Sequence, residues 1–88
     1  MKDIEILKLD ARRLNHPEPL ERSVEMFKEL NSFNCMHLYI HRYLKPLLII
    51  AKKQGLRFEA KETDKGEWHI IFTKNPKLDL KKILKEII

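Results

Sequence analysis

Cysteine is almost absent from this sequence of 88 residues, whose single thiol is Cys35. One cysteine cannot form an internal disulfide, a zinc ribbon or a CxxC redox motif, so these classes of protein are excluded. Long apolar runs are absent too, since the longest (47–51) falls far short of the roughly 20 residues that cross a membrane. The first residues also lack the apolar core of a signal peptide, and we expect a cytoplasmic protein that does not enter the membrane.

Glycine and aromatic residues are also scarce, with 2 glycines and 8% aromatics, whereas hydrophobic residues make up 43% and charged residues 35%. This composition and length predict one small globular domain. The net charge of +5 suits an anionic partner without requiring one. No glycine-rich phosphate loop, nucleophile–base pair or paired carboxylates stand out, so we predict a non-catalytic protein without a cofactor.

Hydrophobic periodicity predicts the element order β-α-β-α-β-β-α. Apolar and polar residues alternate in four predicted strands, at 4–11, 35–41, 56–62 and 67–74. Three helical stripes are predicted, from Pro17 to about Asn31, from Pro46 to a cap at Gly55, and from Pro76 to Ile88.

Two β-α-β steps predict parallel pairing, and the closing hairpin adds an antiparallel pair. The predicted fold class is therefore an α/β two-layer sandwich, with a mixed four-stranded sheet, two helices on one face and a short C-terminal helix. Residues 1–75 are expected to form the domain, and residues 76–88 a helical extension packed on or beside it.

The segment LDARRLNHPEPL, from Leu9 to Leu20, is similar to the signature of the TusA/SirA sulfur-carrier fold. The chain from Ile6 to Lys74 also resembles a sister family, the TusA-like domains called domain of unknown function 2249. That resemblance rests on PEPL at 17–20, HRYLKPLL at 41–48, Gly55 and GEWHIIF at 66–72. It implies the same fold and a bacterial or archaeal setting near sulfur, metal or respiratory-nitrogen functions.

One departure from the sulfur carriers concerns their chemistry. The resemblance places a persulfide-carrying cysteine directly before the first proline, where this chain has His16. An imidazole does not carry a transferable sulfur, and Cys35 begins the second strand, about 20 Å from the motif loop. We therefore expect the fold to be shared and keep a sulfur-transfer relative as an alternative function.

Ligands of open α/β sheets gather outside the carboxyl ends of parallel strands. The loops after the first two strands and the first turn of the following helix supply a candidate binding site. Its residues are Arg12, Arg13, His16, Glu18, His41 and Arg42. We expect this edge to bind a protein partner, a small anion or a metal, with His16 and His41 as candidate metal ligands.

A structural reading of the same residues stays open. His16 would then cap the first helix, and the arginines would be solvated or paired with Asp10 and Glu18. Two histidines without a clear third ligand are also too few for a typical protein metal site.

The sheet face away from the two helices should carry His37, Tyr39 and His69 together with Ile6 and Ile71. We expect a cover over it, which is either the C-terminal helix or a partner, including a second copy in a homodimer. Trp68 is predicted as a core anchor.

A cluster of lysines near the end of the chain fits a solvated helix face and, as the alternative, a nucleic-acid surface. They are Lys74, Lys77, Lys81, Lys82 and Lys85. Only Tyr39 is a candidate for base stacking, which disfavours a nucleic-acid partner.

Overall fold

The computed structural model of the protein describes residues 4–88, which form four strands and three helices. In chain order these are β1 (Glu5–Asp10), α1 (Glu18–Phe27), β2 (Asn34–Ile40), α2 (Lys45–Lys53), β3 (Arg57–Glu62), β4 (Trp68–Thr73) and α3 (Leu80–Ile87). The predicted fold class is confirmed, because a mixed four-stranded sheet carries two helices on one face and the chain ends in a short third helix.

The sheet has the order β1-β2-β4-β3, in which β1 and β2 pair in parallel and β4 is antiparallel to both of its neighbours. The second β-α-β step therefore does not end in parallel pairing as predicted, because β4 lies between β2 and β3. The sequence explains this order. WHIIFT in β4 is almost entirely buried and suits the centre of the sheet, whereas the charged RFEAKE of β3 suits an edge.

The main core lies between the sheet and the helices α1 and α2. Alternate side chains of the strands point into it, among them Leu38 and Phe72, and both are fully buried. Phe27 of α1 meets Phe72 with ring centroids 4.9 Å apart. Trp68, predicted as a core anchor, packs against the edge of this core but stays half-buried, with its ring against that of Tyr43.

The opposite face of the sheet is called the α3 face here, and its central side chains are Cys35, His37, Tyr39, His69 and Ile71. The helix α3 packs on this face through Leu80 and Leu84, which form a second apolar cluster with Cys35 and Ile71. The expected cover by the C-terminal helix therefore lies over the Cys35–Ile71 part of the face.

The helix α1 ends at Phe27, four residues before the predicted end, and the chain leaves it in a tighter turn, in which the Glu29 N–H donates to the Met26 carbonyl at 2.9 Å and the Leu30 N–H to the Phe27 carbonyl at 3.2 Å. A side chain then holds the segment beyond the helix. The amide of Asn34 donates to the Glu29 carbonyl at 3.0 Å and accepts the Asn31 N–H at 2.9 Å. Such bonds satisfy the backbone as well as another helical turn does.

The helix α3 begins at Leu80 rather than at Pro76. The Asp79 carboxylate accepts the backbone N–H of Lys82 at 3.2 Å and so acts as the N-cap. Upstream, the Asn75 side chain accepts the Lys77 N–H at 2.8 Å and holds this segment in a turn.

No helix between residues 4 and 88 is long and apolar enough to span a membrane.

Candidate functional site

The loops after β1 and β2 leave the sheet at the same edge. Parallel pairing sets Asp10 beside Tyr39, and the Ala11 N–H continues the ladder by donating to the Tyr39 carbonyl at 2.7 Å. Residues 11–17 and 41–44 therefore start from neighbouring points, and we call these two loops the loop edge. This is the position at which open α/β sheets bind ligands.

The six predicted site residues occupy the loop edge and the first turn of α1. Glu18 is partly exposed, and the other five are exposed, namely Arg12, Arg13, His16, His41 and Arg42. In the described part of the chain, no hydrogen bond or ion pair joins one of the six to another. The structure thus places them at one edge without linking them directly.

Two of the six side chains have other partners. Glu18 accepts a hydrogen bond from Arg22 at 2.8 Å along α1, and not from an arginine of the loop edge. Arg12 binds the Asp10 carboxylate through Nε at 2.9 Å and Nη2 at 2.7 Å. This arginine holds the pKa of Asp10 down from 3.8 to about 2. The pairing of Arg12 with Asp10 that the structural reading expected is observed. No arginine of the loop edge pairs with Glu18, and Arg13 and Arg42 are exposed to solvent, which the same reading allowed.

His16 does not cap α1. The N-cap position is Pro17 and carries no side-chain hydrogen bond, and the Glu18 N–H bonds the Asn15 carbonyl instead. The cap proposed as the alternative role of His16 is therefore wrong, and its imidazole is exposed at the loop edge.

Arg12 reaches from the loop edge onto the α3 face, where it covers Tyr39. Its guanidinium carbon lies 4.1 Å from the centre of the Tyr39 ring, a cation–π distance. Tyr39 donates to the Glu67 carboxylate at 2.8 Å, and this bond raises the pKa of the phenol. Since Asp10 flanks Tyr39 on β1 and His69 flanks it on β4, the ring is stacked between Arg12 and His69.

Behind Tyr39 two histidines form a buried pair. His37 Nε2 lies 2.8 Å from His69 Nδ1, and the rings are close to coplanar, at 24°, with centroids 5.0 Å apart. The two rings therefore meet end to end, and a single proton between the nitrogens makes the hydrogen bond. Burial, together with His69 and Lys8, lowers the pKa of His37 from 6.5 to about 4, and burial also lowers the pKa of His69. Both imidazoles are neutral at pH 7.

His37, Tyr39 and His69 were predicted on one sheet face, but this pair and the role of Glu67 were not predicted. Alternation assigns a face to each side chain, whereas the pair depends on the antiparallel register that sets His37 beside Ile71 and Tyr39 beside His69. Glu67 directly precedes β4, two residues before His69, and alternation assigns it the same face without specifying Tyr39 as its partner. The available signal in the sequence was that His37 and Tyr39 place polar groups at two alternate positions of the otherwise apolar strand β2.

Cys35 is fully buried beneath α3, and burial raises the pKa of its thiol. A buried thiol of raised pKa is a poor nucleophile. Within residues 4–88, no group of three or more histidine, cysteine, aspartate or glutamate side chains is arranged to hold a metal ion.

This arrangement of strands and helices is the fold of SirA-like proteins. The crystal structure of a SirA-like protein from Desulfitobacterium hafniense matches it with a TM-score of 0.69, over 78% of this chain and 97% of that chain. The two sequences are 19% identical, so this likeness describes the fold alone.

Residues 8–74 match the model of a family described as "Uncharacterized conserved protein (DUF2249)". The chain therefore belongs to this family, as the sequence resemblance predicted. No curated protein matches the chain significantly.

Proposed function

We propose that this protein is a non-catalytic, cytoplasmic binding domain that takes an acidic segment of a protein partner at its loop edge. The observation that supports the proposal is the positive charge exposed at the loop edge. Arg13 and Arg42 are exposed beside His16 and His41, and none of the four has an acidic partner within the described residues.

The acidic groups beside the loop edge support this reading because they are already engaged. Glu18 accepts from Arg22 along α1. Asp10 is bound by Arg12, and Glu67 accepts from Tyr39. These contacts turn negative charge toward the α3 face and leave cationic side chains at the loop edge. Exposed arginines suit bidentate binding of carboxylates on a partner surface.

The test is a titration of the nitrogen-15-labelled protein by NMR. The added probes are a hexaglutamate peptide, phosphate, sulfate, zinc and copper(I), each in turn. We expect saturable shifts from hexaglutamate that are confined to the loop edge, residues 11–17 and 41–44, and weaker shifts in the same amides from the small anions.

Matched variants sharpen this titration. Arg13→Gln and Arg42→Gln should each weaken hexaglutamate binding by about tenfold, since each removes a charge-assisted hydrogen bond. Lys53→Gln removes the same charge at the far end of α2 and should leave binding unchanged. Equal losses in all three variants, or no shifts at the loop edge, would disprove the proposal. Shifts with zinc or copper(I) alone would instead identify a metal site.

A further inference from the structure

A groove of about 730 Å³ lies on the α3 face between β1 and α3. Its apolar lining includes Ile4 and Ile6 from the β1 side and Ile83 and Ile87 from the helix. Ile6 is 45% exposed, although it lies on a sheet. Leu80 and Leu84 of α3 face the sheet, so Ile83 and Ile87 lie on the side of the helix that borders the groove.

Two opposite charges line the same side of α3. Lys82 and Glu86 are one helical turn apart, and both border the groove. In the described part of the chain they form no ion pair with each other or with another side chain. The order Lys then Glu along a helix is the less favourable one for an i,i+4 pair. The neighbouring Asp79 is engaged as the cap of α3.

We propose that the groove is a dimer interface in which α3 of a second copy lies antiparallel to α3 of the first. A twofold axis between the helices would set Lys82 of each chain opposite Glu86 of the other. The same axis would bring Ile83 and Ile87 of the two chains together over the exposed Ile6. Such an isologous contact is the commonest form of homo-oligomer interface.

The charge pattern selects a second copy over other occupants. An acidic peptide would meet Glu86, and a basic peptide would meet Lys82 and also Lys77, which borders the same groove, so each would leave at least one unfavourable contact. An uncharged apolar ligand would bury part of both charges without a partner. A reversed copy of α3 satisfies both charges and also covers the isoleucines.

The interface is separate from the loop edge, so the dimer does not depend on the proposed function. Ile4 precedes β1 and Ile6 is near its start, whereas the loop edge begins after the last residue of β1. A dimer formed through α3 would therefore leave Arg13 and Arg42 available on each copy.

The test is sedimentation equilibrium of the full chain across a range of concentrations, with charge-reversal variants. Lys82→Glu and Glu86→Lys should each weaken the dimer at least about tenfold. Each change places two charges of the same sign opposite each other at both of the symmetry-related contacts. The double variant Lys82→Glu/Glu86→Lys restores both pairs and should dimerise within about threefold of the original. Lys85→Glu reverses a charge on α3 that borders another groove, and it should have no such effect.

Circular dichroism of each variant confirms that α3 is still folded. Ile6→Lys offers a second test, because it changes the sheet side of the groove without touching the helix, and the dimer should be lost. A chain that is monomeric at every concentration overturns the proposal. So does a double variant that fails to restore the dimer, or a dimer that survives Ile6→Lys.

Discussion

At the scale of single residues, the hydrogen bond between His37 and His69 explains how two imidazoles are tolerated on a buried sheet face. A neutral pair shares one proton and satisfies a donor and an acceptor at the same time. Protonating both rings would set two N–H groups against each other. The charged groups around the pair add to this cost, because Lys8 and Arg12 oppose a further positive charge and the carboxylates of Asp10 and Glu67 only partly offset them.

This pair predicts a loss of stability in mild acid. The pKa of His37 falls from 6.5 in the unfolded chain to about 4 in the folded protein, so only the unfolded chain binds the proton between these values. Stability should therefore be full above pH 6.5 and fall as the pH drops toward 4. The loss is on the order of 2–3 kcal/mol. Asp10 acts in a separate window below pH 3.8.

Urea unfolding from pH 7 down to pH 4.5 measures this dependence. His37→Gln keeps a nitrogen at the ε2 position but does not titrate, so its stability should change about 2 kcal/mol less over this range. His41→Gln removes an exposed imidazole of the loop edge and should follow the unmodified protein. The same slope in the protein and in both variants would contradict a role for the buried pair.

At the scale of secondary-structure elements, the sequence predicts the strands well and the helix ends poorly. The strand β1 was predicted at 4–11 and lies at Glu5–Asp10, because alternation of apolar and polar residues directly reflects the two faces of a sheet. Helix ends depend instead on single side chains. The Asp79 carboxylate caps the start of α3, the Asn34 amide holds the turn that follows α1, and neither contributes to a hydrophobic period.

For the candidate site, too, position was predictable and individual contacts were not. The six candidate residues were predicted at the edge where they lie, because both loops follow adjacent parallel strands. Which of them would turn away was not predictable, since Arg12 is drawn to the α3 face by Asp10 and by the ring of Tyr39. Those contacts depend on register and rotamer, which the sequence pattern does not specify.

The helix α3 is expected to contribute strongly to stability and to shield the thiol of Cys35. Leu84→Ala removes a side chain that is 4% exposed and packed in the Cys35–Ile71 cluster. Unfolding should become easier by about 2–4 kcal/mol. Reaction of Cys35 with an aromatic disulfide reagent should be at least about 100-fold slower in the native protein than in urea, and faster in the variant.

Lys85→Ala is the matched control, since it shortens an exposed side chain on the same helix and keeps helix propensity high. It should alter neither the stability nor the thiol reaction rate by much. Rapid native labelling of Cys35 would contradict the shielding. It would also revive the sulfur-transfer alternative, which incubation with a cysteine desulfurase and cysteine then tests through a persulfide mass gain.

At the scale of the whole molecule, the surplus positive charge is divided among separate surfaces. Lys82 borders the groove beside β1, whereas Lys81 and Lys85 border a groove beside β3. The cations of the loop edge form another group at the ends of β1 and β2. Tyr39, the aromatic residue that sequence analysis singled out for base stacking, is stacked between Arg12 and His69. This distribution differs from the basic stripe with exposed rings that binds single-stranded nucleic acid.

The charge distribution therefore predicts only weak, non-specific binding of nucleic acid. The anisotropy of a labelled 12-nucleotide single strand should give a Kd above about 10 μM at 50 mM salt, and binding should vanish by 200 mM salt. Arg13→Gln should weaken this residual binding, because a short anionic strand competes for the loop edge. Submicromolar binding at 150 mM salt together with quenching of Trp68 by the strand would show that bases stack on the protein. In that case a nucleic acid, and not an acidic protein segment, is the partner of the loop edge.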